Sequence, residues 1–303
     1  MTVFKKMDVK KRRALIGAVI VIAVIACAVD LWLSVSRKDS KYEQAAALMA
    51  DGRYGQAYMI LSTLDDYRGA DTLLEENEGL IRAGARIKAF QTVGGTVTYG
   101  SWEQDNDTAN GKQDIAWQVL EVDGSHVLLI SSEVLDAHTY NDAAIGITWD
   151  VCDLRAWLNG DFLETAFTEA ERQGILTTEV DNSAAQHYSE WITGGCPTTE
   201  DKIFVLSYAE ANKYLGVTFY SSSNTAARAK ATAYAVARGV NVSDTNQTED
   251  GSASSWWWLR SPGRYQDYGA GVSGNGALYY YENSKQSGGV RPAMWLDLNE
   301  ADL

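Results

Sequence analysis

Trp256-Trp257-Trp258-Leu259-Arg260-Ser261-Pro262-Gly263 and, downstream, Gly288-Gly289-Val290-Arg291-Pro292-Ala293 decide how the C-terminal part of this chain is read. Alternation along a strand turns Trp257 to one face and Trp256 and Trp258 to the other, so at least one of those faces is core. Arg260 and Arg291 stand among apolar residues, where a guanidinium has to be paired and hydrogen-bonded, so both are expected to be structural. The twenty residues from Tyr265 to Ser284 are different: ten of them are Tyr, Asn, Asp or Ser. Tyr gives large amphipathic contact area at low entropic cost, and the small polar residues adapt their hydrogen bonds to a partner. Ligand contact is therefore expected at Tyr265, Asp267, Tyr268, Asn275, Tyr279, Tyr280, Tyr281 and Asn283, between glycines expected to prevent regular structure. Trp257, Trp258, Arg260 and Arg291 are the expected framework.

Working back from this segment, the period of the apolar residues is two. Thr96–Trp102 reads as a strand, and Ile115–Val122 with Val127–Ser131 as a hairpin turning at Asp123-Gly124. Asp153–Phe167 reads as a helix with Leu154, Trp157, Leu158, Phe162 and Phe167 on its apolar side. Thr168 with Glu171 and Ser207 with Glu210 have the form of capping boxes. Residues 201–206 read as a short strand, Thr225–Arg238 as a helix and Val240–Ser255 as a surface loop. Strands are expected around Trp257, Gly271 and Met294. Strands, helices and strands again predict an α+β domain with a mainly antiparallel sheet over 90–303.

Residues 39–85 follow another rule. Tyr42, Ala45 and Leu48 recur at spacing three, Gly52 breaks the run, and Tyr54, Ala57, Leu61, Leu64, Tyr67 and Ala70 restart it. This predicts an antiparallel helix pair with a tight glycine turn. It resembles a tetratricopeptide-type hairpin, and because one repeat cannot bury a core alone, it is expected to act as a stalk or to dock a protein partner.

Upstream again, residues 1–13 hold six Lys or Arg against one acid, and residues 14–35 form a 22-residue apolar stretch interrupted only by Asp30. That length spans a bilayer core as a helix, and the basic flank keeps the N terminus cytoplasmic. A single-pass cell-membrane protein is expected, its C-terminal domain outside. Ala26-Cys27-Ala28 also has the form of a cleavage site, and Val24–Cys27 that of a lipobox; the apolar run continuing through Leu31-Trp32-Leu33 favours an uncleaved anchor. From Asp39 onward there are 38 acidic and 18 basic residues. So negative a surface does not bind nucleic acid by charge. Only Cys152 and Cys196 remain in that part, too few for a disulfide framework, and their being paired or free is left open.

Five stretches in order carry a family resemblance: Ile115–Leu120; Thr148-Trp149 with Leu154–Asn159; Asp201–Ser207; Trp257–Gly263; and Gly289–Ala293. Over about residues 94–298 the chain resembles a family of bacterial surface domains called DUF6273, whose end segment resembles the C-type-lectin-like fold of formylglycine-generating enzymes and of proteins varied by retroelements. The resemblance implies irregular, glycine-rich loops pinned by buried Trp and Arg, with other side chains facing outward. It also raises the hypothesis that the Tyr, Asn, Asp and Ser positions are diversified, which a missing reverse transcriptase and template repeat beside the gene would remove.

The residues of other chemistries are not in place in the sequence. The Trp-Asn-Asp run of calcium-dependent lectins is absent, Asp244–Asp250 lacks EF-hand spacing, and calcium enters only through the fold analogy; no cofactor is expected. No cysteine follows Cys196, His126, His138 and His187 lie far apart in sequence, and Glu169 and Glu171 belong to a capping box. The expected activity is a membrane-anchored binding or display protein recognising a protein or glycan outside the cell, rather than an enzyme. The rivals are an envelope glycan-active enzyme with a carboxylate pair, and a non-binding scaffold.

Overall fold

The computed structural model describes residues 9–143, 146–191, 193–219, 224–265, 267–282 and 287–303. The chain divides into two compact units, Met1–Ala83 and Gly84–Leu303.

In the first unit, helix α1 (Val9–Ala50) runs for 42 residues. It joins the apolar segment ending at 35 to the helical module starting at 39 without interruption, since nothing between Ser36 and Ser40 opposes a helix. This helix is long and apolar enough to cross a membrane, and its apolar side chains, such as Ile22 and Trp32 at 67% and 68%, are exposed. Gly52, at φ +79°, turns the chain into α2 (Tyr54–Leu61). Helices α3 (Ala70–Glu76) and α4 (Glu78–Phe90) follow. Ala45, Ala57, Leu61, Leu64, Ala70 and Leu80 form the core of this unit, with Tyr42, Leu48, Tyr54 and Tyr67 packed against it. A polar knot closes the turn onto α1: Arg68 bonds Glu43 at 2.6 Å and lies 4.4 Å over the Tyr42 ring, while the Tyr67 hydroxyl donates to Asp39 at 2.9 Å.

The second unit is a mixed α/β domain. Strands β1 (Thr96–Trp102), β2 (Gln113–Asp123) and β3 (His126–Ser131) form a meander. The turn of its second hairpin is Gly124-Ser125, one residue beyond the expected pair, because Asp123 is registered opposite His126 and Gly124 takes φ +61°. A short β4 (Asp136–His138) leads to α5 (Asp153–Trp157), a π-helical turn at Leu158–Phe162 and α6 (Leu163–Ala166). Thr168 and Glu171 cap α7 (Glu169–Gly174) reciprocally. After β5 (Thr178–Val180) and β6 (Thr199–Asp201), Ser207 and Glu210 cap α8 (Tyr208–Leu215) in the same way.

Two expectations fail in the next stretch. Thr225–Arg238 is not one helix: a 3-10 turn precedes β7 (Ala229–Lys230), and only α9 (Ala233–Ala237) is helical, because the Thr232 hydroxyl caps it by accepting from Ala235 N. Residues 240–255 are not a loop but β8 (Val242–Gln247) and β9 (Ala253–Ser255), which pair with β7 in the order β7-β9-β8.

The last strands are β10 (Trp257–Pro262), β11 (Tyr268–Val272), β12 (Leu278–Glu282), β13 (Gly288–Val290) and β14 (Ala293–Asp297). They build a five-stranded sheet, β12-β11-β10-β13-β4, and complete a four-stranded one, β1-β2-β3-β14. Only β10 with β13 pairs in parallel among the paired strands described. The Gly/Tyr-rich run is therefore a regular hairpin, Tyr268 opposite Glu282 and Val272 opposite Leu278, not an irregular segment. Its glycines serve packing instead, for a Cβ at Gly269 would stand 2.7 Å from the Trp258 ring. Both faces of β10 are core: Trp257 and Trp258 are fully buried and Trp256 is 8% exposed.

Candidate functional site

Beneath the surface, the recurring stretches bond to one another. Asp201, whose side chain is wholly buried, accepts from Arg155 Nε at 2.6 Å, Trp149 Nε1 at 2.9 Å and Thr199 Oγ1 at 2.7 Å. Asn159 Oδ1 accepts from the backbone N–H of Lys202 and Ile203 at 2.8 and 3.2 Å, and Asn159 Nδ2 donates to Ile203 O at 2.8 Å. These side-chain bonds replace a ladder, which is why residues 203–206 are not the strand expected; only Phe204 bridges to Ala293. Arg260 is buried, forks onto Glu210 with 2.7 Å to Oε1, and donates to Val205 O, Asp181 O and Asn182 Oδ1. Arg291 donates through Nε to Ser131 O at 2.8 Å and lies 5.0 Å over the Trp257 ring. Burial holds its guanidinium down to about 10, and Nη1 has no hydrogen-bond partner among the described residues.

On this framework the β11–β12 hairpin carries a row of rings. Tyr265 and Tyr268 meet edge to face at 5.4 Å, Tyr268 stacks on Tyr280 at 5.7 Å, and Tyr280 stacks on Tyr279 at 5.1 Å within 3° of parallel. Trp191 supports the row from the side, edge-on to Tyr280 at 5.9 Å. The rings at the row's two ends are the most exposed, Tyr265 at 52%, with the Arg264 guanidinium 5.6 Å over it, and Tyr279 at 48%.

At the Tyr279 end lies a cleft of about 380 Å³ between β8 and the turn of the β11–β12 hairpin, within the ~300–1,000 Å³ range of small-ligand sites. Asn241, Ser243 and Asn246 form one wall, Ser273, Gly274 and Asn275 the other, and Trp256 and Tyr279 supply its aromatic surface. None of the described residues that line it is charged. The walls are close: the Ser254 hydroxyl donates to both Asn246 O and Gly274 O, and a Cβ at Gly274 would lie 3.1 Å from that of Ser243. Trp256 reaches its place because Gly288 has no side chain; a Cβ there would meet the Trp256 and Trp258 rings at 2.4 and 2.2 Å.

Of the residues expected to touch ligand, the structure brings Tyr265, Tyr268, Tyr279 and Tyr280 into one row and puts Asn275 with Tyr279 in the cleft. Asp267 is exposed in the turn before β11. Tyr281 is placed in β12 by its backbone alone, and Asn283 lies outside the described residues. The sequence reading missed Asn241, Ser243, Asn246, Ser254 and Ser273, and used Trp256 only for packing. No periodic signal marked that wall: Val242 to Gln247 holds one apolar residue, and both Val242 and most of the strand are exposed.

The titratable groups lie elsewhere. Burial raises the Asp136 carboxyl, which accepts from Ala137 N at 2.7 Å and Arg238 Nε at 3.0 Å rather than facing a second acid. Cys152 and Cys196 are free thiols, burial pushing Cys152 up to about 12 and Cys196 up as well. Among the described residues, no group of three His, Cys, Asp or Glu could hold a metal ion.

Fold and site together define a mixed α/β domain of antiparallel sheets, with buried Trp and Arg beneath a partly exposed tyrosine row, in a chain that carries a long apolar helix near its N terminus. The chain belongs to the DUF6273 family: residues 124–298, more than half its length, match the model of that domain of unknown function. The match covers four of the five recurring stretches and starts after Ile115–Leu120. No curated protein and no solved structure matches the chain.

Proposed function

We propose that this protein is a membrane-anchored binding module, displayed outside the cell, that recognises a protein or glycan through the tyrosine row and the adjoining cleft. The observation carrying the reading is the contrast between framework and surface. Asp201 and Arg260 are buried and paired with Arg155 and Glu210, whereas Tyr265 and Tyr279 keep about half their surface in solvent, Tyr279 beside a cleft with no charge among its described lining residues. Large aromatic contact area with adaptable amides and hydroxyls suits recognition. The buried Trp and Arg that pin the hairpin support the C-type-lectin-like reading of the fold, and the basic N terminus supports the orientation. The Gly52 hairpin serves as a stalk of tetratricopeptide type or as a dock for a second membrane protein.

The test is binding of the full chain, in detergent or nanodiscs, to a glycan array and to extracted envelope and host-surface proteins, beside a variant with Tyr265, Tyr268, Tyr279 and Tyr280 changed to Ala. Saturable binding by the wild type that a folded variant lacks supports the reading. Equal binding by both, or none by the wild type, contradicts it.

A further inference from the structure

Building on that binding reading, we infer that the ligand is an uncharged, extended glycan, one end seated in the Asn241–Asn275 cleft and the rest lying along the tyrosine row. The described residues lining the cleft are Asn, Ser, Gly, Val, Trp and Tyr, in a region that carries 38 acidic against 18 basic residues from Asp39 onward. These described residues offer an ion no counter-charge, and the surrounding negative field repels polyanions.

It does offer paired donors and acceptors. Asn275 Oδ1 is used by Ser273 Oγ and Ala277 N, leaving Nδ2 without a protein partner among the described residues. Asn246 Nδ2 donates to Ser243 Oγ at 2.9 Å, and its Oδ1 accepts from none of the described residues. The side-chain amide of Asn241, an exposed residue, makes no bond to the described residues, its backbone O alone being engaged by Ser255. Each amide carries both a carbonyl and an NH2 group, and sugar hydroxyls, which donate and accept at once, match such a mixture. The C–H face of a pyranose ring matches the half-exposed Tyr279 at the cleft, and Tyr265, half-exposed at the far end of the row, offers a second ring to a longer chain.

A peptide is the competing occupant, because β8 and β12 are both edge strands and edges accept added strands. The β8 edge is a poor template. Its register with β9 is broken between Val242 and Gln247, and the Thr245 and Asn246 N–H groups turn inward to Ser243 Oγ.

The test uses the full chain in nanodiscs and tagged oligosaccharides of two to six units: neutral glucans, mannans and chitin fragments, anionic uronic-acid and sialic-acid oligomers, and a random peptide library. Neutral chains are expected to bind more tightly as they lengthen. Asn241→Ala with Asn246→Ala, and separately Gly274→Val to fill the cleft, are expected to weaken binding about tenfold or more, with circular dichroism confirming the fold. Asn275→Asp, nearly isosteric, is expected to weaken it too. Tighter binding of the anionic oligomers, or cleft-dependent capture of peptides alone, overturns the glycan inference while leaving the binding reading intact. Binding that ignores all three variants, or none to any probe, overturns both.

Discussion

Arg155 Nε lies 2.6 Å from Asp201 Oδ1, and the Asp201 side chain has no exposed surface. Removing one partner of such a pair strands the other charge in a place built for an ion pair. Asp201→Ala is therefore expected to destabilise the domain by about 3–5 kcal/mol, and to release Trp149 Nε1 at the same time. Urea unfolding of the detergent-solubilised chain, followed by Trp emission, measures it; a loss under about 1 kcal/mol would mean that water reaches the pair.

Arg291 makes the opposite case. It has no carboxylate partner among the described residues, and its Nη1 is buried without a hydrogen bond. What it contributes is one hydrogen bond, from Nε to Ser131 O, and a planar group over Trp257. Arg291→Lys keeps the charge but replaces the plane with a strongly hydrated ammonium, and is expected to cost about 2 kcal/mol or more. Arg291→Met, apolar and similar in length, is expected to stay within about 1 kcal/mol of wild type. Urea midpoints at unchanged slope decide the order, and Met proving worse than Lys would assign the cation an electrostatic role.

Gly288→Ala tests how Trp256 is held. The added Cβ would overlap the Trp258 and Trp256 rings, and overpacking of this kind typically costs about 1–3 kcal/mol. A lowered Tm together with weaker ligand binding is expected, since Trp256 lines the cleft. An unchanged Tm would show that the rings move aside freely.

His187 gives the domain a pH dependence. Burial holds the imidazole below its ordinary 6.5, against the Thr193 carbonyl, which favours the charged form, and Arg260 adds repulsion. A base whose folded pKa is lowered binds fewer protons folded than unfolded, so stability is complete above about pH 6.5 and declines as pH falls below it toward the folded value. Urea stability measured from pH 7 to 5 is expected to decline, and His187→Gln to flatten that slope. A slope identical in the two proteins contradicts the assignment.

The helical hairpin core was legible from spacing alone, because Ala45, Ala57, Leu61, Leu64 and Ala70 recur at helical intervals and Gly52 marks the turn. Both capping boxes were legible because their chemistry is local, three residues from end to end. What sequence spacing does not carry is distance. The glycines at 269 and 288 make room for Trp258 and Trp256 across a sheet, and nothing beside them in the chain says so. Likewise β8 hides in a polar run, since its pairing with β9 is broken and its inward bonds run through the Ser243 hydroxyl. The cleft was therefore half visible: Asn275 and Tyr279 were singled out by composition, while the opposite wall, Asn241 to Asn246, lies some thirty residues away and had no helix or strand signal to place it.

Hydrogen exchange of the full chain in nanodiscs, with and without its tightest-binding partner from the glycan array and protein extracts, tests the central claim most directly. The account predicts slowed exchange in Asn241–Gln247 and in Ser273–Tyr280, with the Tyr42–Tyr67 hairpin unchanged. Protection confined to that helical hairpin, or to surfaces away from both the cleft and the tyrosine row, would contradict it.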